Sequence, residues 1–100
     1  MKQKMMGLLA FVLALSPTLY GRDIDQNEAL QLRQSGQILP LETLLAEALK
    51  RYPEARLLEA ELEEDDGLLI YEIELLTQSG AVRDLEINAA NGAILKDELD

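Results

Sequence analysis

Much of the stretch between Arg56 and Leu95 alternates apolar and acidic residues with a period of two, in runs separated by turn-forming residues. That period belongs to an extended strand with one buried and one solvated face. In Arg56 to Glu63, Leu58, Ala60 and Leu62 alternate with Leu57, Glu59, Glu61 and Glu63; in Leu68 to Leu76, Leu69, Tyr71, Ile73 and Leu75 alternate with Ile70, Glu72 and Glu74. Asp66-Gly67 between them is a two-residue hairpin turn, and Gln78-Ser79-Gly80 fits a three-residue loop with glycine at its left-handed position. A third strand is expected over Ala81 to Asn88 with Leu85 and Ile87 inward, and Ala90-Asn91-Gly92 turns into a short fourth over Ala93 to Leu95.

One sheet face is apolar and needs a cover. Leu41, Leu44, Leu45, Ala48, Leu49 and Tyr52 fall at i, i+3, i+4, i+7, i+8 and i+11, a continuous helical stripe, with Glu42, Glu47, Lys50 and Arg51 on the opposite side. Pro40 suits the first helical turn and Pro53 stops the far end. Further upstream, Asp25 with Glu28 three residues on forms a capping box for a short helix over Gln26 to Gln34, ended at Ser35-Gly36. Its apolar stripe of Ala29, Leu30 and Leu32 is narrow, which places it at the periphery. The expected fold is α+β: one amphipathic helix on an antiparallel meander of three to four strands, with a short peripheral N-terminal helix.

A chain of 100 residues supports a single core. Lys2 and Lys4, the apolar run Met5 to Leu15 and the turn at Ser16-Pro17 have the three parts of a secretory signal. The apolar run is well short of the roughly 20 residues that a membrane-spanning helix needs. The expected division is a signal over residues 1–21, a helical extension over 22–38 and the main domain over 39–100, with a periplasmic or secreted location and no membrane association after cleavage. With no cysteine, an exported domain of this kind relies on packing alone. Removal of residues 1–21 leaves 7 basic against 19 acidic residues, a net charge of −12, which disfavours nucleic acid and anionic membranes as partners. The string KDEL over Lys96 to Leu99 is followed by Asp100 and so cannot act as a terminal retention signal.

Taken in order, the helix ending in proline, LLEAELEEDDGLLIYEIELL, the glycine loop and DLEINAANGAIL resemble a PepSY domain over about Leu39 to Leu95. The matching positions are Gly67, Tyr71, Glu72, Ala89, Gly92, Ile94 and Leu95. Asn88 stands where the family usually has aspartate, and Leu39-Pro40 replaces the usual serine or threonine cap. PepSY domains occur in propeptides of thermolysin-like metallopeptidases, in membrane-bound sensors and as small exported proteins. The resemblance therefore implies a role outside the cytoplasm in binding or restraining a peptidase, a sensor or another protein.

Catalytic chemistry finds little support. There is no histidine or cysteine, the hydroxyls of Ser35, Thr43, Thr77 and Ser79 have no base beside them in sequence, and the glycines are too scattered for a phosphate loop. A transition metal would lack imidazole and thiolate ligands. A glycosidase-type acid pair needs a cleft with aromatic walls, and tryptophan is absent. The expectation is no enzyme, no cofactor and no resident metal. Tyr71 reads as a core ring, and Asn88 and Asn91 as turn formers that with Gly92 fix the last hairpin. The acidic face stands apart. The two turns set Glu61, Glu72 and Glu86 in one row and Glu59, Glu74 and Asp84 in another. Like charges directly opposite cost roughly 0.2–1 kcal/mol per pair. The rows read either as a solubilising surface or as the candidate site for a basic partner, a cation or a cationic peptide.

Overall fold

The computed structural model describes residues 21–100, so the expected signal lies outside the described residues except for Gly21. The fold is α+β. Its elements in chain order are β1 (Arg22–Asp23), α1 (Gln26–Gln34), α2 (Leu41–Arg51), β2 (Arg56–Asp65), β3 (Leu68–Leu76), β4 (Val82–Asn88) and β5 (Ile94–Leu99). The strands form one antiparallel sheet in the order β1-β2-β3-β4-β5.

The hairpin turns follow from backbone sterics. Asp66 and Gly67 have φ of 52° and 80°, the pair of left-handed conformations that matches the twist of the strands they join. Gly92 has φ of 81°, and a Cβ there would lie 3.3 Å from Leu44 Cδ2, so a larger residue meets both an unfavourable backbone and a packed neighbour. Asn88 Oδ1 accepts from Ala90 N at 2.8 Å and Asn91 Oδ1 accepts from Ala93 N at 2.9 Å, so asparagine supplies the turn-closing acceptor at position 88.

On the helix side, Leu44 and Ala48 of α2 lie at 0% exposure in one cluster with Leu75, Leu85, Ile87 and Ala89 of the sheet. Tyr71 and Ile73 complete that layer at 5% and 2%. Leu39 N donates to Ala89 O at 2.8 Å, which ties the start of α2 to the end of β4. Pro40 occupies the N-cap position without a side-chain cap bond, while Asp25 caps α1 by accepting from Glu28 N at 2.9 Å.

Four expectations need correction. Among the described residues the sheet has five strands, because Arg22–Asp23, read as part of a helical extension, adds to the edge of β2. Two residues carry no legible alternation; burial of Ile24 and its N–H bond to Leu62 O at 2.9 Å hold the strand in place. The last strand continues past Leu95 to Leu99, because an edge strand needs no apolar repeat on its solvated face. Leu58 is not an inward residue: Leu57 opposes Leu75 and Glu59 opposes Glu74, so Leu58 is the extra residue of a bulge and both leucines stay exposed. Leu45 and Leu49 of α2 are only partly buried, the buried line running through Leu44 and Ala48.

Candidate functional site

The register of the central strands builds the acidic face. Glu61 opposes Glu72, which opposes Glu86; Glu59 opposes Glu74, which opposes Asp84. Because opposed residues share a face and alternate residues swap faces, all six point away from the Leu44–Leu85 layer. Together with Lys96 and Glu98 of β5 they line a trough of about 240 Å³. Glu59 and Glu61 are exposed, whereas Glu72, Glu74, Asp84 and Glu86 are half-buried.

The face extends beyond these six residues. Asp23 opposes Glu63, and the ligating oxygens of Asp23, Glu61 and Glu63 lie within 4.8 Å of one another, as do those of Glu74, Asp84 and Asp100. Glu63 follows the same alternation as Glu59 and Glu61 and was legible by that signal; Asp23 and Asp100 came into the face only through pairings at the sheet edges. Ile70 opposes Glu63 and Asn88 on this face and is 6% exposed, an apolar spot among the acids.

Crowding shows in the protonation of the face. Partial burial, followed by the charge of and a hydrogen bond with Glu72 and the charges of Asp23 and Glu61, pushes Glu63 up to about 7. Glu61 is raised by partial burial and then by Asp23 and Glu59, and Glu74 by partial burial and then by Asp100 and Asp84. Lys96 is the one cation in the trough, 3.9 Å from Glu86 and 3.8 Å from Glu98.

The opposite side carries a polar clasp with no sequence signature. Asp97 accepts from Tyr52 Oη at 2.6 Å, Arg51 at 3.0 Å and Arg83 Nε at 3.0 Å, and the Arg83 guanidinium lies 5.6 Å from the Tyr52 ring centroid. Burial acts to raise the Asp97 carboxyl, but the three donors outweigh it and hold it below the usual carboxylate range. This clasp fastens the end of α2 to β4 and β5. The hydroxyls of Thr77 and Ser79 are 3.1 Å apart, and Thr77 Oγ1 also bonds the backbone of Ala81, so both belong to the β3–β4 turn. Among the described residues no helix is long and apolar enough to cross a membrane.

The family model described as PepSY, "Peptidase propeptide and YPEB domain", matches residues 38–98. A protein of Bacillus subtilis (strain 168) described as "Uncharacterized protein YkoJ" is 48% identical over 42 residues, which cover 42% of this chain and 25% of that relative. The matched stretch thus spans about a quarter of the relative's length. No solved structure matches the chain significantly.

Proposed function

The chain belongs to the PepSY family, and from that premise we propose that it is a non-enzymatic exported module that modulates a peptidase or the extracytoplasmic region of a sensor protein. The observation that carries this reading is the pair of carboxylate rows in register across β2, β3 and β4. A basic segment laid along the trough would neutralise charges that oppose one another in the free domain. It would also steer association from a distance, because a field of one sign raises encounter rates. Gly67, Tyr71, Asn88, Ala89 and Gly92 serve the fold, by turn geometry or burial, rather than contact with the partner.

The test is the effect of the purified protein on a thermolysin-type metallopeptidase and, in parallel, its own hydrolysis of peptide and glycoside substrates. The expected result is restraint of the peptidase with no turnover by the domain. The double variant Glu72→Gln/Glu74→Gln should slow association about tenfold at low salt, with little change in dissociation. Restraint unaltered in that variant would remove the acidic face from the reading. Substrate turnover lost on Glu72→Gln would remove the non-enzymatic assignment.

A second reading, binding of a cation or a cationic peptide, draws on the two carboxylate triads, Asp23/Glu61/Glu63 and Glu74/Asp84/Asp100. All-oxygen donor sets suit Ca²⁺ rather than a transition metal, with water completing the shell. Titrations with Ca²⁺ and with a lysine-rich peptide separate this reading from the first: saturable Ca²⁺ binding lost on Glu74→Gln favours it, and weak heat without saturation excludes it.

A further inference from the structure

Strand β5 is the open edge of the sheet, with β4 as its one strand neighbour among the described residues. It carries the most exposed large apolar side chains of the domain apart from Leu58, Leu95 at 48% and Leu99 at 65%. We propose that this edge pairs antiparallel with the same strand of a second copy, about a two-fold axis through Asp97, to make one continuous sheet. The proposal is independent of the acidic-face reading.

Three features of β5 converge on that register. The first is backbone phase. Asp100 N donates to Val82 O at 2.8 Å, and Glu98 opposes Asp84, so residues 98 and 100 turn their backbone groups toward β4. Alternation leaves Asp97 and Leu99 with N–H and C=O groups directed at the open edge, where two Asp97 residues exchange both backbone bonds across the axis.

The second feature is the order of side chains. A two-fold axis at Asp97 sets Lys96 opposite Glu98 of the second copy; Leu95, the extra residue of a bulge between Ile94 and Lys96, lies at the end of the paired stretch, next to Leu99 of the second copy. The ion pair occurs twice, as an isologous interface requires. A shift of the axis by one residue, to Lys96 or Glu98, places like charges opposite each other and points the backbone groups at the axis back toward β4.

The third feature removes the evident obstacle, two Asp97 carboxylates meeting at the axis. Each is already held by Arg51, Arg83 and Tyr52 of its own chain, so its charge is compensated before pairing. The other edge is already occupied in part, because β1 covers Glu63 and Glu64.

Sedimentation of the full chain from about 1 μM to about 1 mM should show a reversible monomer–dimer equilibrium, a range suited to a small edge contact. Lys96→Glu and Glu98→Lys should each weaken the dimer about tenfold, since each creates two like-charge oppositions, and the double reversal should restore it. Restoration also separates this contact from loss of the Lys96–Glu86 contact within one chain, which the double reversal does not repair. The chain has no cysteine, so mixing Lys96→Cys with Glu98→Cys chains should give a disulfide-linked heterodimer. The Cα separation of such an opposed pair, about 4.5 Å, falls within disulfide range. Monomer at every concentration, or a dimer indifferent to both single reversals, overturns the proposal.

Discussion

Glu63 on β2 and Asp97 on β5 are carboxylates of one sheet with two strands between them, and the fold drives their protonation in opposite directions. Glu63, among Glu72, Asp23 and Glu61, keeps its proton up to about pH 7, while the unfolded chain releases it near 4.5. The folded state therefore binds more protons across that window, and stability is greatest below it and falls as pH rises through it. Glu63 is partly solvated, so screening reduces the effect to about 1 kcal/mol. Asp97 acts the other way: its carboxyl is held below the ordinary 3.8 by its donors, so its contribution is present above that value and lost as pH falls through the folded value. Urea midpoints against pH should peak between about pH 4 and 5. Glu63→Gln should flatten the neutral side of the profile and Asp97→Asn the acid side. A profile unchanged in both variants would mean that neither group feels the surroundings described. Nothing local in the sequence marks Asp97, whose partners Arg51, Tyr52 and Arg83 come from two other elements; Glu63 was visible as an alternating acid but its protonation depends on neighbours across the strand.

At the scale of elements, α2 is anchored through Leu44 and the β4–β5 turn beneath it. Leu44 is fully buried and Ile73 is 2% exposed, so Leu44→Ala and Ile73→Ala should each cost about 2–5 kcal/mol. Leu45→Ala should cost less than either, because Leu45 keeps part of its surface in water. Gly92→Ala combines a left-handed backbone with a Cβ approaching Leu44 Cδ2, and should cost about 1–2 kcal/mol. Chemical denaturation of the four variants checks the order, and an equal loss for Leu44 and Leu45 would contradict the buried line through Leu44 and Ala48. The limits of α2 and β3 were close to legible because apolar period, prolines and a two-residue turn agree over those stretches. The bulge at Leu58 was not, since RLLEAEL alternates equally well in sequence whether or not one residue is extruded. Only the pairing of Leu57 with Leu75 and Glu59 with Glu74 reveals it.

For the whole molecule, the acidic face is a standing electrostatic cost set against the apolar layer on the other side. Raising salt from about 20 mM to about 0.5 M should screen the opposed carboxylates and raise the urea midpoint, by an amount equivalent to about 1 kcal/mol. Glu72→Gln/Glu74→Gln should be no less stable than the parent and should lose most of that salt response. A chelator should leave the midpoint unchanged, the core being apolar packing throughout; a salt response that persists undiminished in the double variant would show that the repulsion resides elsewhere. The separation of acids from leucines into two faces was determined by the sequence alone, because a period of two permits one assignment of faces, and a one-residue slip would bury the carboxylates. Tertiary structure decided what short or edge segments do: that Arg22–Asp23 joins the sheet, that Lys96 to Leu99 continues it, and that Asp97 meets Tyr52, Arg51 and Arg83. Such segments have too few residues to express a period, so their conformation is set by the partners that the folded chain brings beside them.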